Sequence, residues 1–492
     1  MRFGFSLAAS AAGALLLAGC SPCTVEYGAD PDLPASYSFA GSADPASAAI
    51  DRWWEQFGDP VLNRLVADAL RDSPDLAAAR ERYEKARHEA AVRGADLGPS
   101  AALSLQTVGG RILAGDTPAV LDHSQARRGL LLGGGVSWEP DIFGEKRSQA
   151  DAAVFSALSR RDEAVAARTA LAARVAENYF ALQELRERLD LTRRRIQELE
   201  RLEKYVRGRF SAGQALASDV EDTAVRLSAA RALIPQLEAG SDCRRRILAA
   251  LAGRAPQSFN LEDPLPFLPR SAPAVPGGMV PGDLLLRRPD LRACQNRIRA
   301  LAAMKAAAQA DLYPRFGISF LGGYGALRLG GIMGSSDGWF SLLTGSVSAP
   351  IFTNGRIREN IEARGAELRE AARDFESRIL GALRDVENAY SRMIAQQRRR
   401  SLLEEELSRA DRLAAAAFRE FELGAKNFDA AAAARMQVLS CQGEILDSRL
   451  QELNAGIDLF TALGGGWDPG ELTGEDGAAG EGDPAGKEDY GT

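Results

Sequence analysis

Few residues in this 492-residue chain could do covalent chemistry. There are two histidines, His88 and His123, and no His-Glu-x-x-His, Gly-x-Ser-x-Gly or phosphate-loop pattern. Gly486-Lys487 lacks the earlier glycine and the following hydroxyl of a nucleotide loop. Cys23, Cys243, Cys294 and Cys441 are scattered, with no metal or redox spacing, and read as small buried residues or free thiols. The chain is therefore read as no enzyme, with no cofactor and no metal. A net charge of −7 gives no case for nucleic acid.

Cys20 stands apart from the other cysteines. Residues 1–19 read as a secretion signal: Arg2 supplies positive charge, and residues 8–18 are an apolar run too short to span a bilayer. The run ends Leu17-Ala18-Gly19-Cys20, which resembles the bacterial lipobox, where the cysteine is lipidated and becomes the new N-terminus. The alternative is an ordinary signal peptide with an incidental cysteine. Ser21 follows; an aspartate there would resemble an inner-membrane retention signal, so its absence points to the outer membrane. No later hydrophobic run is long enough for a transmembrane helix, so a membrane crossing would have to use strands.

The elements are organised by a duplication. Residues 286–314 read as a helix that starts at Pro289 and stops before Pro314, since proline suits a first turn and disfavours helix just before itself. Shifted by 215, Pro74-Asp75-Leu76 falls on Pro289-Asp290-Leu291, Ala95-Asp96-Leu97 on Ala310-Asp311-Leu312, and Pro99 on Pro314. Ile142-Phe143 matches Ile351-Phe352 at 209, and Val175, Tyr179 and Gly213 match Val386, Tyr390 and Gly424 at 211. Each copy thus runs helix, variable middle, long helix, glycine break, helix.

The variable middles read as strands. Leu103, Leu105 and Thr107 share a face within 101–110, and Leu130, Leu132, Val136 and Trp138 share one within 130–138. Phe316, Ile318, Phe320 and Tyr324 follow Pro314, and 338–349 gives a fourth strand. Strands of about ten residues, glycine-tolerant and ending in aromatics, suit a transmembrane barrel; one pair alone would suit a soluble hairpin equally. Four strands cannot close a barrel, for which about eight are needed, so the chain must contribute them to an oligomer.

The long helices, 143–212 and 354–423, hold no proline. At about 1.5 Å per residue each would run roughly 105 Å. Leu182, Leu185, Leu189, Ile196, Leu199 and Val206 fill six of eight a and d heptad positions, with Thr192 and Glu203 in the others. Ile379, Leu383, Val386, Tyr390 and Met393 keep the same frame, as in coiled-coil packing. Gly213 and Gly424 break the helices, and the return arms 216–251 and 427–463 are half as long. The expected divisions are a lipoprotein signal peptide (1–19), an anchored tether (20–59), two repeats (60–270 and 271–467) and an acidic, glycine-rich disordered tail (468–492).

Taken together, the chain resembles the TolC-type outer-membrane efflux channels, in the NodT-like lipoprotein subfamily. The residues that carry the resemblance are the lipobox; Arg52-Trp53-Trp54 with Phe57, Asp59, Pro60, Leu62 and Leu65; and Trp138-Glu139-Pro140-Asp141-Ile142-Phe143-Gly144. To these add Asp283-Leu284-Leu285 with Arg287-Arg288-Pro289-Asp290-Leu291, Pro350-Ile351-Phe352 with Gly355-Arg356, and Ala462-Leu463-Gly464-Gly465-Gly466-Trp467. The resemblance implies a mainly α fold with a small β part. Duplicated coiled-coil hairpins would form a periplasmic α-barrel, and four strands per chain a trimeric twelve-stranded outer-membrane β-barrel. It implies a homotrimer working with a periplasmic adaptor and an inner-membrane pump, anchored in outer-membrane lipid. The chain would then be a passive conduit exporting drugs or other small molecules. A type I secretion conduit for polypeptides and a periplasm-spanning structural lipoprotein without a pore are the alternatives. The segments 111–129 and 327–337 would face the cell exterior.

The resemblance also implies a periplasmic gate at the hairpin tips, Gly213 and Gly424. There an acid and a base at the positions of Asp219 and Lys426 link neighbouring hairpins in the closed state; the alternative is two solvated surface charges. The acidic ring expected nine residues after the second glycine is replaced by Ala433, and Asp429, one turn nearer the tip, is expected to substitute for it. An Asp-Ala-Gln-like stretch common in the last helix is also missing: the run 430–434 is all alanine, then Arg435.

Overall fold

A computed structural model describes residues 34, 37, 51–110, 127–261, 265–273, 282, 287–328 and 335–467. Cys20, Asp283-Leu284-Leu285, most of the expected exterior segments and the acidic tail lie outside the described residues.

The two copies fold alike, down to element length. After a 3-10 turn, Trp53–Phe57, come α1 (Pro60–Asp72) and α2 (Pro74–Ala95). Strands β1 (Ser100–Gly110) and β2 (Arg127–Trp138) lead into α3 (Glu145–Ser211) and the return arm α4 (Ala217–Leu251). The second copy gives α5 (Pro289–Ala310), β3 (Arg315–Arg328), β4 (Ser335–Ser348), α6 (Arg356–Glu422) and α7 (Phe428–Ala462). Helices α2 and α5 are both 22 residues, α3 and α6 both 67, α4 and α7 both 35.

The long helices start two residues later than the absence of proline suggests. The cause is backbone handedness: Gly144 and Gly355 both adopt φ +81, and Asn354 joins the latter at φ +49, a conformation that no right-handed helix continues through. Strands β2 and β4 start three residues earlier than their apolar alternation indicates. The antiparallel ladder continues to Gly110↔Arg127 and Arg328↔Ser335, because backbone pairing does not require apolar side chains. Helix α4 also runs through Pro235, which the sequence reading passed over.

Contacts divide the chain into two compact units, each drawing on both copies. Among the described residues, the first holds Arg82–Arg160 and Cys294–Phe375, and the second holds 51–81, Arg161–Ala293 and 376–467. The first unit carries one antiparallel sheet in the order β1-β2-β3-β4. The second carries the main apolar core, in which Trp53, Trp54, Tyr179, Phe180, Leu182, Leu248, Leu453, Ile457 and Phe460 are buried together. Trp53 stacks on Phe460 at 5.9 Å. Val175 and Val386, equivalents in the two copies, are both fully buried.

Asp59 ties the start of α1 into that core. Its Oδ1 accepts from the Val61 and Leu62 amides at 2.9 and 3.2 Å, capping the helix. Its Oδ2 accepts from the Tyr179 hydroxyl at 2.7 Å and Gln183 Nε2 at 3.2 Å. Burial, reinforced by the Asp59 carboxylate, pushes the Tyr179 hydroxyl well above the usual phenol range.

Candidate functional site

The strand registers sort the sheet side chains into two unlike faces. One face carries Leu103 and Leu105 of β1, Leu130, Leu132, Val136 and Trp138 of β2, Phe316, Ile318, Phe320 and Tyr324 of β3, and Trp339, Leu343 and Val347 of β4. Most are well exposed, Leu103 at 79% and Trp339 at 84%. Aromatic side chains mark both ends of this face: Trp138 and Phe316 at one, and the Tyr324–Trp339 pair, 5.6 Å apart, at the other. From Phe316 to Tyr324 the strand advances about 27 Å, at about 3.4 Å per residue.

The other face is small and polar: Ser100, Ser104 and Gln106, then Gly133, Gly135 and Ser137, then Gly317, Ser319 and Gly323, then Thr344 and Ser346. Of its larger side chains, Leu131, Leu321 and Phe340 lie over glycine, while Leu342, opposite Leu321, is exposed. Leu321 reaches within 4 Å of where a Cβ would stand on Gly133 and Gly135, and the Phe340 ring within 3.1 Å of one on Gly323. That Cβ would also sit 2.4 Å from the Leu132 carbonyl oxygen, so only glycine fits there. An alternation of this kind, repeated across four strands, fits a sheet with an apolar solvent on one side and water on the other.

The hairpin tips form the second candidate surface. Gly213 and Gly424 adopt φ +72 and +71 and end their helices in the same way. Gly213 N donates to the Phe210 carbonyl and Gln214 N to that of Arg209; Gly424 N donates to the Phe421 carbonyl and Ala425 N to that of Glu420. Asp219, exposed in the first turn of α4, accepts from the Leu216 amide at 3.0 Å. Lys426, also exposed, pairs with Glu420 at 2.7 Å. Asp429, in the first turn of α7, pairs with Arg209 at 3.3 Å.

The two tips of one chain are thereby joined to each other. Tyr205 lies 5.9 Å from Phe421 and 5.3 Å from Phe428, with Arg209 over the Tyr205 ring. An open groove of about 580 Å³ runs between α4 and α7 above α3, and Arg209, Asp219, Asp222, Arg226 and Asp429 line it. Sequence reasoning missed Arg209, Glu420 and the aromatic cluster. The signal was in the repeat: at the offset of 211, Arg209 falls on Glu420 and Phe210 on Phe421, so the copies exchange charge beside a kept aromatic.

The sequence motifs far apart in the chain meet at the ends of the return arms. Gly253 and Gly464, again 211 apart, have φ +65 and +80. A Cβ on Gly253 would lie 2.2 Å from the Asp72 carbonyl oxygen, and one on Gly464 would lie 2.9 Å from the Arg287 carbonyl carbon. Trp467 Nε1 donates to the Arg287 carbonyl at 3.1 Å, and Arg292 lies over the Trp467 ring. Each return arm thus abuts the start of α2 or α5 through a glycine. Asp162, fully buried, is held by Arg161 and Arg292, both at 3.3 Å. Among the described residues no acidic, histidine or cysteine cluster could hold a metal ion, and no helix is long and apolar enough to cross a membrane.

Comparison with known proteins agrees with this geometry. The family model described as "Outer membrane efflux protein" matches residues 65–254 and 280–465. The pyoverdine export outer membrane protein OpmQ of Pseudomonas putida KT2440 is 28% identical over 462 residues, covering 92% of this chain and 95% of that protein. The outer membrane protein OprJ of Pseudomonas aeruginosa PAO1 is 30% identical over 471 residues, covering 93% and 95%. The solved outer-membrane channel OprN superposes with a TM-score of 0.81 at 26% identity, over 90% of this chain and 99% of that one. The matches run through both repeats, the sheet and the tips, and the chain belongs to the outer membrane efflux protein family, whose members are channels and not enzymes.

Proposed function

We propose that three copies of this chain form a passive conduit: a twelve-stranded β-barrel through the outer membrane, continuous with a tunnel of the long helices. The observation that carries this is the sheet, with one apolar, aromatic-ended face and two edges, β1 and β4, that have no strand beside them within the described chain. Pairing β4 of one copy with β1 of the next removes both edges. With strands tilted about 40°, the 27 Å between the aromatic rows projects to roughly 21 Å, close to the apolar band of such barrels. Two copies would give eight strands, a barrel that its own side chains fill; twelve leave an opening.

In this reading the apolar face meets lipid and the serine- and glycine-rich face meets water. Cys20 carries the lipid anchor. The conduit serves an inner-membrane pump through a periplasmic adaptor, and the cargo is drugs or other small molecules; OpmQ is named for pyoverdine export. The tips form the gate, where Asp219 and Lys426 of neighbouring hairpins pair in the closed state and Asp429 supplies the acidic ring. The mass of the detergent-solubilised protein tests the assembly: three chains are expected, and a monomer overturns it. Cys20→Ser should abolish lipid labelling.

A further inference from the structure

The second copy departs from the first at the corner where its hairpin ends. At the corner between β2 and α3, Phe143 stacks on Tyr313, rings 4.8 Å apart, with Phe316 at 6.5 Å. Beside it Arg315 pairs with Glu145 at 2.7 Å and Asp311 at 2.6 Å. This corner joins the end of the first hairpin to the beginning of the second.

The end of the second hairpin repeats these residues, but among the described residues little covers them. Ile351 is 96% exposed and Phe352 86%, whereas Ile142 is 41% exposed and Phe143 half-buried. The missing half would be the turn between α2 and β1. By the offset of 215, Gly98 stands there in place of Tyr313, Asp96 in place of Asp311 and Ser100 in place of Arg315. By the offset of 211, an exposed Arg356 stands where Glu145 stood. The cation has moved from the strand side of the corner to the helix side, while the aspartate has stayed. An opposite-charge pair is therefore kept if the two halves meet. They cannot meet in one chain, because β1 and β4 lie at opposite edges of the sheet.

We propose that Ile351-Phe352 seats on the α2–β1 corner of a second copy of this chain, with Phe352 over Gly98 and Arg356 beside Asp96 of that copy. This rests on the ring assembly proposed above and names the contact that closes it. A Cβ on Gly98 would meet nothing nearer than the Ala95 carbonyl oxygen, at 3.6 Å, so this chain's own packing does not require glycine. The space above Gly98 is what a neighbour's phenyl ring would fill. Among the described residues the Asp96 carboxylate is held by an exposed pair with Arg93 at 3.6 Å, of the kind worth about 0–1 kcal/mol, which exchanges readily for a new partner.

The test uses the full-length chain in outer membranes, with Cys23, Cys243, Cys294 and Cys441 replaced by serine. Phe352→Cys with Gly98→Cys, treated with a short bifunctional thiol reagent, should give bands of two and three chains on a denaturing gel. Phe143→Cys with Tyr313→Cys should link internally, with no gain in mass. Trimers that form but leave Phe352→Cys/Gly98→Cys at the mass of one chain overturn the contact and spare the ring; an unsubstituted protein that never trimerises overturns both. Independently, Arg356→Asp should lower trimer resistance to detergent by about fivefold per contact, the upper end for one exposed ion pair, and Asp96→Arg in the same chain should restore it. Failure of the reversed pair to restore it contradicts the charge assignment.

Discussion

At the scale of single residues, Asp59 shows how one side chain can serve two levels of structure. It caps α1 and receives the buried Tyr179 hydroxyl from a helix 120 residues away. Asp59→Ala removes the cap, about 1 kcal/mol, and leaves a buried hydroxyl unpaired, about 1–3 kcal/mol. A loss of about 2–4 kcal/mol in denaturant unfolding is expected, against about 1 kcal/mol for Tyr179→Phe, which removes both the donor and the need for it. Equal losses would mean the cap is negligible. That Asp59 precedes Pro60 at a helix start was legible in the sequence. Its second role was not, since no local pattern reports a partner so distant.

Glu177 and Asp458 give a pH dependence at the same scale. Burial, aided by each carboxylate's acidic neighbours, pushes both groups above the usual range; for Glu177 the neighbour is Asp458. An acid whose folded pKa is raised weakens the fold above its unfolded pKa, about 4.3 for glutamate, and does no harm below it. Glu177→Gln should therefore melt higher than the unsubstituted protein at pH 7.5, with the advantage fading to nothing by about pH 4. An advantage that grows on acidification would reverse the sign of this account.

At the scale of elements, the proposed gate rests on the charges at the tips. Asp429 pairs with Arg209 in its own chain, so the acidic ring proposed for it would be partly neutralised. Arg209→Ala should strengthen block of the channel by trivalent cations, and Asp429→Ala should weaken it. Asp219→Ala with Lys426→Ala should raise single-channel conductance. If all three variants conduct and block like the parent, the gate lies elsewhere. The element boundaries were largely readable: glycine and proline mark most helix ends, and apolar alternation marks the strands. Where the reading slipped, at 143–145 and 354–356, positive φ at Gly144, Asn354 and Gly355 overrode helix-compatible composition. Glycine recurrence at 211 would have flagged these positions, since Gly144 and Gly355, Gly213 and Gly424, and Gly253 and Gly464 are all left-handed in pairs. The tip pairs were hidden for a different reason: the copies exchange charge there, Arg209 for Glu420, and the exchange is legible only when the two copies are aligned on the kept aromatics Phe210 and Phe421.

At the scale of the whole molecule, duplication supplies two hairpins where a closed ring needs several. The equal helix lengths in the two copies show that both were kept to one design. An apolar sheet face that is mostly exposed in one chain, and two sheet edges with no strand beside them among the described residues, are costly in water and would become assets in lipid and in the proposed ring. The central claim is that this assembly is an open-ended conduit and not a bridge of solid protein. It is tested most directly by reconstituting the purified protein into planar lipid bilayers and recording current. Discrete conductance steps are predicted, larger in the Asp219→Ala/Lys426→Ala protein than in the parent. Inserted trimers that pass no current in either form, at any voltage the bilayer withstands, would contradict it.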